Sequence, residues 1–65
     1  MAEYKIVVRE IASKENVYTE TYNGRQDEVE RRTGLIWKPP YSTNFGRYRL
    51  YVFEKGSRSA LMTIG

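Results

Sequence analysis

Residues 47–54 read Arg-Tyr-Arg-Leu-Tyr-Val-Phe-Glu, the stretch with the strongest strand character in this sequence. Aromatic and β-branched residues of this kind suit a pleated, half-buried surface. Successive side chains of a strand point to opposite faces, so Tyr48, Leu50 and Val52 are expected to face a core. The other face mixes cations with aromatic rings: Arg47, Arg49, Tyr51 and Phe53. We therefore predict a strand over 47–54, with its second face as a candidate binding surface.

Three further segments have strand character. They cover residues 3–11, 17–22 and 59–64, which alternate or are rich in β-branched and aromatic side chains. In residues 17–22, the face that holds two tyrosines is the expected core face, so Glu20 on that face is predicted to lie at a sheet edge.

Two of the segments share a pattern. Residues 4–10 and 48–54 both follow Tyr-basic-aliphatic-x-Val-x-Glu. Duplication would explain this, and so would two central strands that meet one packing requirement in the same way. The small set of strand-forming residues favours the second interpretation.

Residues 25–33 are predicted to form a short helix. They are rich in helix formers, with acidic residues early and arginines late, as the helix dipole favours. Gly34 stands where a C-terminal cap is expected, and Val29 is the one strong apolar anchor. Just before the helix, Asn23-Gly24 suits either a hairpin turn or a helix start with Asn23 as N-cap.

The resulting prediction is an α+β fold: a small antiparallel β-sheet in the order β-β-α-β-β, with the short helix packed on one face. The alternative is a small five-stranded β-barrel, in which residues 25–32 form a poor strand. With 65 residues, the chain is expected to be a single domain over 1–65.

Composition argues against catalysis. The chain has neither cysteine nor histidine, so it lacks a thiolate nucleophile, the usual zinc ligands and the commonest general base. Its one acidic cluster, at 27–30, is explained by dipole compensation at the helix start. Its glycines follow neither the dinucleotide-binding nor the P-loop pattern. We expect a protein that is not an enzyme and that uses no metal and no cofactor.

Charge is uneven along the chain. The net charge is +3, made of −1 over residues 1–37 and +4 over residues 38–65. An anionic partner for the C-terminal half would fit this distribution. No apolar run is long enough to cross a membrane and no signal-peptide pattern opens the chain, so the expected location is the cytoplasm.

Two binding surfaces follow from these observations. The first is a nucleic-acid surface for DNA or RNA, in which rings stack on bases and cations meet phosphates. Its candidate residues are Arg47, Arg49, Tyr51, Phe53, Lys38, Lys55 and Arg58. The second is a protein interface on the stiff loop around Pro39-Pro40, whose candidates are Trp37, Tyr41 and Phe45. Trp37 is also a candidate core residue.

In type, the chain resembles the very small α+β accessory proteins of bacteriophages and mobile elements, among them anti-CRISPR and other anti-defence inhibitors. The resemblance rests on small size and on the lack of catalytic side chains and targeting signals. It implies an inhibitor that docks on a larger host protein or nucleoprotein complex in the host cytoplasm. Direct nucleic-acid binding is the alternative, and a homodimer through an edge strand such as 59–64 is a third.

Overall fold

The computed structural model describes residues 2–44 and 46–65, which form an open, four-stranded antiparallel sheet with one helix on one face. The elements are β1 (Ala2–Glu10), β2 (Glu15–Gly24), α1 (Gln26–Ile36), β3 (Tyr48–Glu54) and β4 (Met62–Ile64). The spatial order of the strands is β2-β1-β3-β4. The predicted β-β-α-β-β order is confirmed. Because the sheet stays open and α1 is helical, the barrel alternative is wrong.

The core lies between α1 and one face of the sheet. Leu50 and Val52 are fully buried there, and Tyr48 packs against them, so the predicted core face of β3 is confirmed. β1 contributes Tyr4, Ile6 and Val8, and α1 contributes Val29 and Ile36. Burial of these side chains supplies most of the favourable free energy that a chain of this size obtains on folding.

The two segments with the shared pattern are the two central strands, and they pair with each other. Tyr4 lies opposite Glu54 and Glu10 lies opposite Tyr48, with Val7 and Tyr51 at the centre. The equivalent positions of both strands therefore meet the same helix-covered face, which both interpretations of the shared pattern allow.

The helix is longer than predicted at its C-terminal end. α1 runs to Ile36, so Gly34 lies inside the helix and the predicted cap at Gly34 is wrong. Ile36 is buried, and the Trp37 N–H donates to the Thr33 carbonyl at 2.8 Å. Burial of an Ile side chain is worth about 2 kcal/mol, which exceeds the cost of about 1 kcal/mol for a glycine in a helix.

The start of the helix also differs from the prediction. Asn23 and Gly24 end β2, opposite Glu3 and Ala2, and form neither a hairpin turn nor an N-cap. The N-cap is Arg25, whose backbone N–H donates to the Glu28 carboxylate at 3.1 Å. The reason is that β2 pairs with the whole length of β1, and this pairing extends β2 past residue 22 to Gly24.

The last strand is shorter than the predicted range of 59–64. Only Met62–Ile64 pairs with β3, as β4. The preceding turn holds the chain away from the sheet, with Gly56 at φ +84° and the Ser57 hydroxyl donating to the Ser59 carbonyl at 3.0 Å. Among the described residues, no helix is long and apolar enough to cross a bilayer.

Candidate binding face

The helix covers one face of the sheet and leaves the other uncovered. Side-chain alternation places seven residues of the two central strands on the uncovered side, which we call the open face: Glu3, Lys5, Val7, Arg9, Arg49, Tyr51 and Phe53. The basic and aromatic side of residues 47–54 is thus the side that the helix does not cover.

Strand pairing brings the cations of the open face together. Arg9 lies directly opposite Arg49, and Lys5 lies opposite Phe53. Directly opposite residues of an antiparallel pair have Cα atoms about 4.5–5.5 Å apart, and like charges at that separation are destabilising. Within the described residues, no carboxylate oxygen lies within 4.0 Å of the charged groups of Lys5, Arg9 and Arg49. Two facing arginines without a neutralising acid form a site suited to an anion.

The aromatic rings of the open face form a fixed platform. The rings of Tyr51 and Phe53 are stacked, with centroids 6.0 Å apart and planes 19° apart. The Arg9 guanidinium lies over the Tyr51 ring at 5.2 Å, and its Nε donates to the Asn16 side chain at 3.1 Å. Val7, only 2% exposed, fills the space beside them. Because these contacts already hold the two rings in place, ligand binding would cost little further side-chain entropy.

A groove of about 420 Å³ continues the open face at one end of the central strands. Its lining includes Lys5 and Phe53 of the open face, Lys55 and Arg58 of the β3–β4 turn, and the acidic residues Glu3 and Glu54. Lys55 forms a long ion pair with Glu3, at 3.8 Å. The groove thus adds two of the sequence-predicted cations to the open face.

Two other predicted cations lie elsewhere. Arg47 precedes β3, and its guanidinium contacts the Glu10 carboxylate at 3.3 Å and the Tyr48 ring at 5.3 Å. Lys38 follows α1 and lines a groove on the helix side of the sheet. The structure therefore brings together Arg49, Tyr51, Phe53, Lys55 and Arg58, and does not bring Arg47 or Lys38 to them.

The aromatic residues of the loop around Pro39-Pro40 are used largely in internal packing. Trp37 stacks on Tyr41 with ring centroids 6.5 Å apart, and Tyr41 meets the edge of Tyr48 at 5.1 Å. Both Trp37 and Tyr41 are half-buried against the core. The third candidate of this loop, Phe45, lies outside the described residues.

An ion pair links α1 to β2 on the helix-covered face. Two nitrogens of the Arg32 guanidinium donate to the Glu20 carboxylate, each at 2.7 Å, and the Tyr18 hydroxyl donates to it at 2.6 Å. The bonds from Arg32, and then the one from Tyr18, lower the pKa of Glu20 to about 2. The same carboxylate raises the pKa values of Arg32 and Tyr18. Glu20 lies on an edge strand, as predicted, and is neutralised there.

Lys5 and Arg9 were not among the residues that the sequence singled out for binding. Their alternation with Val7 in residues 3–11 placed them on one face of a strand. The sequence did not show that this strand pairs with β3. The first residue of β3, Tyr48, comes 38 residues after Glu10, the last residue of β1. The described residues also contain no group of three acidic side chains placed to hold a metal ion.

Comparisons with known protein families, with curated protein sequences and with solved structures find no match to this chain.

Proposed function

We propose that this chain is a non-catalytic binding protein that holds single-stranded nucleic acid on its open face. The observation that supports this most strongly is the stacked Tyr51–Phe53 pair, which lies between cations on a sheet face that no helix covers. Both protein and ligand would be found in the cytoplasm.

The chemistry of the face suits this ligand better than a duplex. Every base has a flat π-face that can stack on Phe or Tyr, but only when it is not already stacked in a double helix. Phe53 supplies such a surface, and the Tyr51 ring, which the Arg9 guanidinium overlies at 5.2 Å, adjoins it. Arg9, Arg49 and Lys5 on the same face are the cations that would meet the flanking phosphates. A protein that binds in this way has little sequence preference, because the contacts go to ring faces and to the backbone.

The proposal is tested by fluorescence anisotropy with a labelled single strand of ~10 nucleotides and with the matching duplex, over a series of salt concentrations. We expect the single strand to bind more tightly than the duplex. With three phosphates neutralised, the slope of log K against log salt should be about −2. Equal binding of both forms, or a slope near zero, would count against the proposal.

Two variants separate stacking from charge. Phe53→Leu keeps an apolar side chain but removes the ring, and should weaken binding roughly tenfold. Arg49→Gln should reduce the salt slope by about 0.7. Arg31→Gln is the matched control, because Arg31 is exposed on α1 and pairs with Asp27 at 3.5 Å, away from the open face. Arg31→Gln should change binding little.

A second candidate function is docking on a larger host protein or nucleoprotein complex, as an inhibitor of the anti-defence type. The observation that favours it is an open groove of about 630 Å³ lined by Ile36, Pro39, Pro40 and Tyr41 beside the exposed Lys38. Under this hypothesis, Pro40→Ala should abolish capture of a partner that persists after nuclease treatment, and Phe53→Leu should have no effect.

A further inference from the structure

We propose that the outer edge of β2 is a homodimer interface, in which two copies pair their β2 strands antiparallel about a two-fold axis at Glu20. The proposal is independent of what the open face binds. It rests on the unpaired edge, on the residue pattern of that edge and on the apolar side chains beside it.

β2 is a long strand at the edge of the sheet. It spans ten residues, from Glu15 to Gly24, and pairs on one side with β1. No described strand pairs with its other side. The opposite edge of the sheet, β4, is only three residues long. An unpaired edge offers a row of N–H and C=O groups to another strand, and proteins block such edges with short strands, Lys or Pro, bulges or inward-pointing charges. The inward-pointing charge of β2, on Glu20, is neutralised by Arg32. Residues 15–24 contain no Lys, Arg or Pro.

The central part of β2 is palindromic. Residues 18–22 read Tyr-Thr-Glu-Thr-Tyr, which is the same in both directions about Glu20. In an antiparallel pair with a second copy, Tyr18 would face the partner subunit's Tyr22, and Thr19 would face the partner subunit's Thr21. Aromatic pairs and Thr–Thr pairs are both favourable cross-strand neighbours. A two-fold interface needs such a self-complementary surface. The β-bulge opposite Val8 and Arg9 lies outside the palindrome.

The palindrome would bring two Glu20 carboxylates together at the axis. Each of them is already held by its own Arg32, through two hydrogen bonds of 2.7 Å. At the axis, each Glu20 carboxylate is therefore neutralised by the Arg32 of its own copy, and the repulsion between the two carboxylates is largely removed.

Apolar side chains lie along the same edge. Leu35 of α1, at 64% exposed, shares a groove with Tyr22 and Arg32 of the edge region. Val17 on β2 is 44% exposed, and Tyr18 and Tyr22 are only half-buried. A second copy paired on β2 would cover these side chains, which make up much of the large apolar surface that the described residues expose.

Light scattering coupled to size-exclusion chromatography tests the interface. We expect the unmodified protein to run at twice its chain mass of 7.7 kDa. Thr19→Lys/Thr21→Lys places like charges directly opposite each other at two positions and should give the monomer mass. Thr43→Lys/Thr63→Lys is the matched control, because it adds the same charge at exposed threonines away from β2. It should remain a dimer. Circular dichroism checks that both variants stay folded.

The register is tested by cysteines in this cysteine-free chain. Thr19→Cys/Thr21→Cys should form a covalent dimer on mild oxidation, because position 19 of each copy would lie opposite position 21 of the other, within disulfide range. Thr19→Cys alone should crosslink poorly, since the two copies of position 19 would be about 7–8 Å apart. A monomer at all concentrations would overturn the proposal. So would a dimer that survives Thr19→Lys/Thr21→Lys.

Discussion

The facing arginines of the open face are unfavourable for the free protein. Arg9 and Arg49 are direct cross-strand neighbours, and no described carboxylate lies within 4.0 Å of either guanidinium. Replacement of one of them by a neutral residue should therefore relieve repulsion. Residues that reduce stability but improve a ligand's surroundings are typical of binding sites.

Arg49→Gln should raise the free energy of unfolding by about 0.5 kcal/mol while it weakens binding of single-stranded nucleic acid. Urea denaturation at low salt measures the first effect, and anisotropy measures the second. Arg31→Gln, which removes an arginine that has an acidic neighbour, should not be stabilising. If Arg49→Gln destabilises the fold, Arg49 has a structural role that the open face does not explain.

A second prediction at the residue scale concerns pH and the Glu20–Arg32 pair. The pKa of Glu20 is lowered from 4.5 to about 2 in the folded protein, chiefly by its hydrogen bonds from Arg32. The folded state then binds fewer protons than the unfolded state between these values. The stabilisation is therefore present above pH 4.5 and is lost as the pH falls towards 2.

Glu20→Gln should lower the melting temperature by a few degrees at pH 7, and the difference from the unmodified protein should shrink as the pH approaches 2. Thermal melts followed by circular dichroism at pH 7, 4 and 2 provide the test. A difference that stays constant over this range would mean that the charge of Glu20 is not what stabilises the pair.

At the scale of elements, α1 contains a glycine at a position whose backbone does not require one. Gly34 lies within α1, lacks the positive φ of a cap, and has open space around the position of a Cβ atom. Gly34→Ala should therefore stabilise the protein by roughly 0.5–1 kcal/mol, because alanine loses less backbone entropy in a helix. Urea denaturation measures this.

Gly56→Ala is the contrasting variant. Gly56 has φ +84° in the turn after β3, where a Cβ is strained, so alanine there should cost about 1 kcal/mol. If Gly34→Ala were also destabilising, the helix would end at Gly34 and the extension to Ile36 would be wrong.

The elements show what local sequence does and does not determine. Alternation predicted the core face of β3 and the edge position of Glu20, because both depend on side-chain direction along one strand. It did not predict the end of α1, since Ile36 extends the helix through a tertiary contact that propensity does not contain. Nor did it predict the pairing of Arg9 with Arg49, which depends on strand order.

At the scale of the whole molecule, one side of the sheet is covered by the helix and the other is not. The helix-covered side contains the core and the Glu20–Arg32 pair, and the open face contains the cations and stacked rings. A β2–β2 dimer would join two open faces into one continuous surface. A ligand long enough to reach both would then be held more tightly than by one face alone.

The most direct test of the open face is a titration of the ¹⁵N-labelled protein with a single strand of ~10 nucleotides, followed by amide chemical shifts in NMR spectra. We predict that the largest changes fall on the central strands, at Lys5, Arg9, Arg49, Tyr51 and Phe53, with α1 nearly unchanged. Changes concentrated on α1 and the loop around Pro39-Pro40, or no saturable change at all, would contradict the assignment of the open face as a nucleic-acid site.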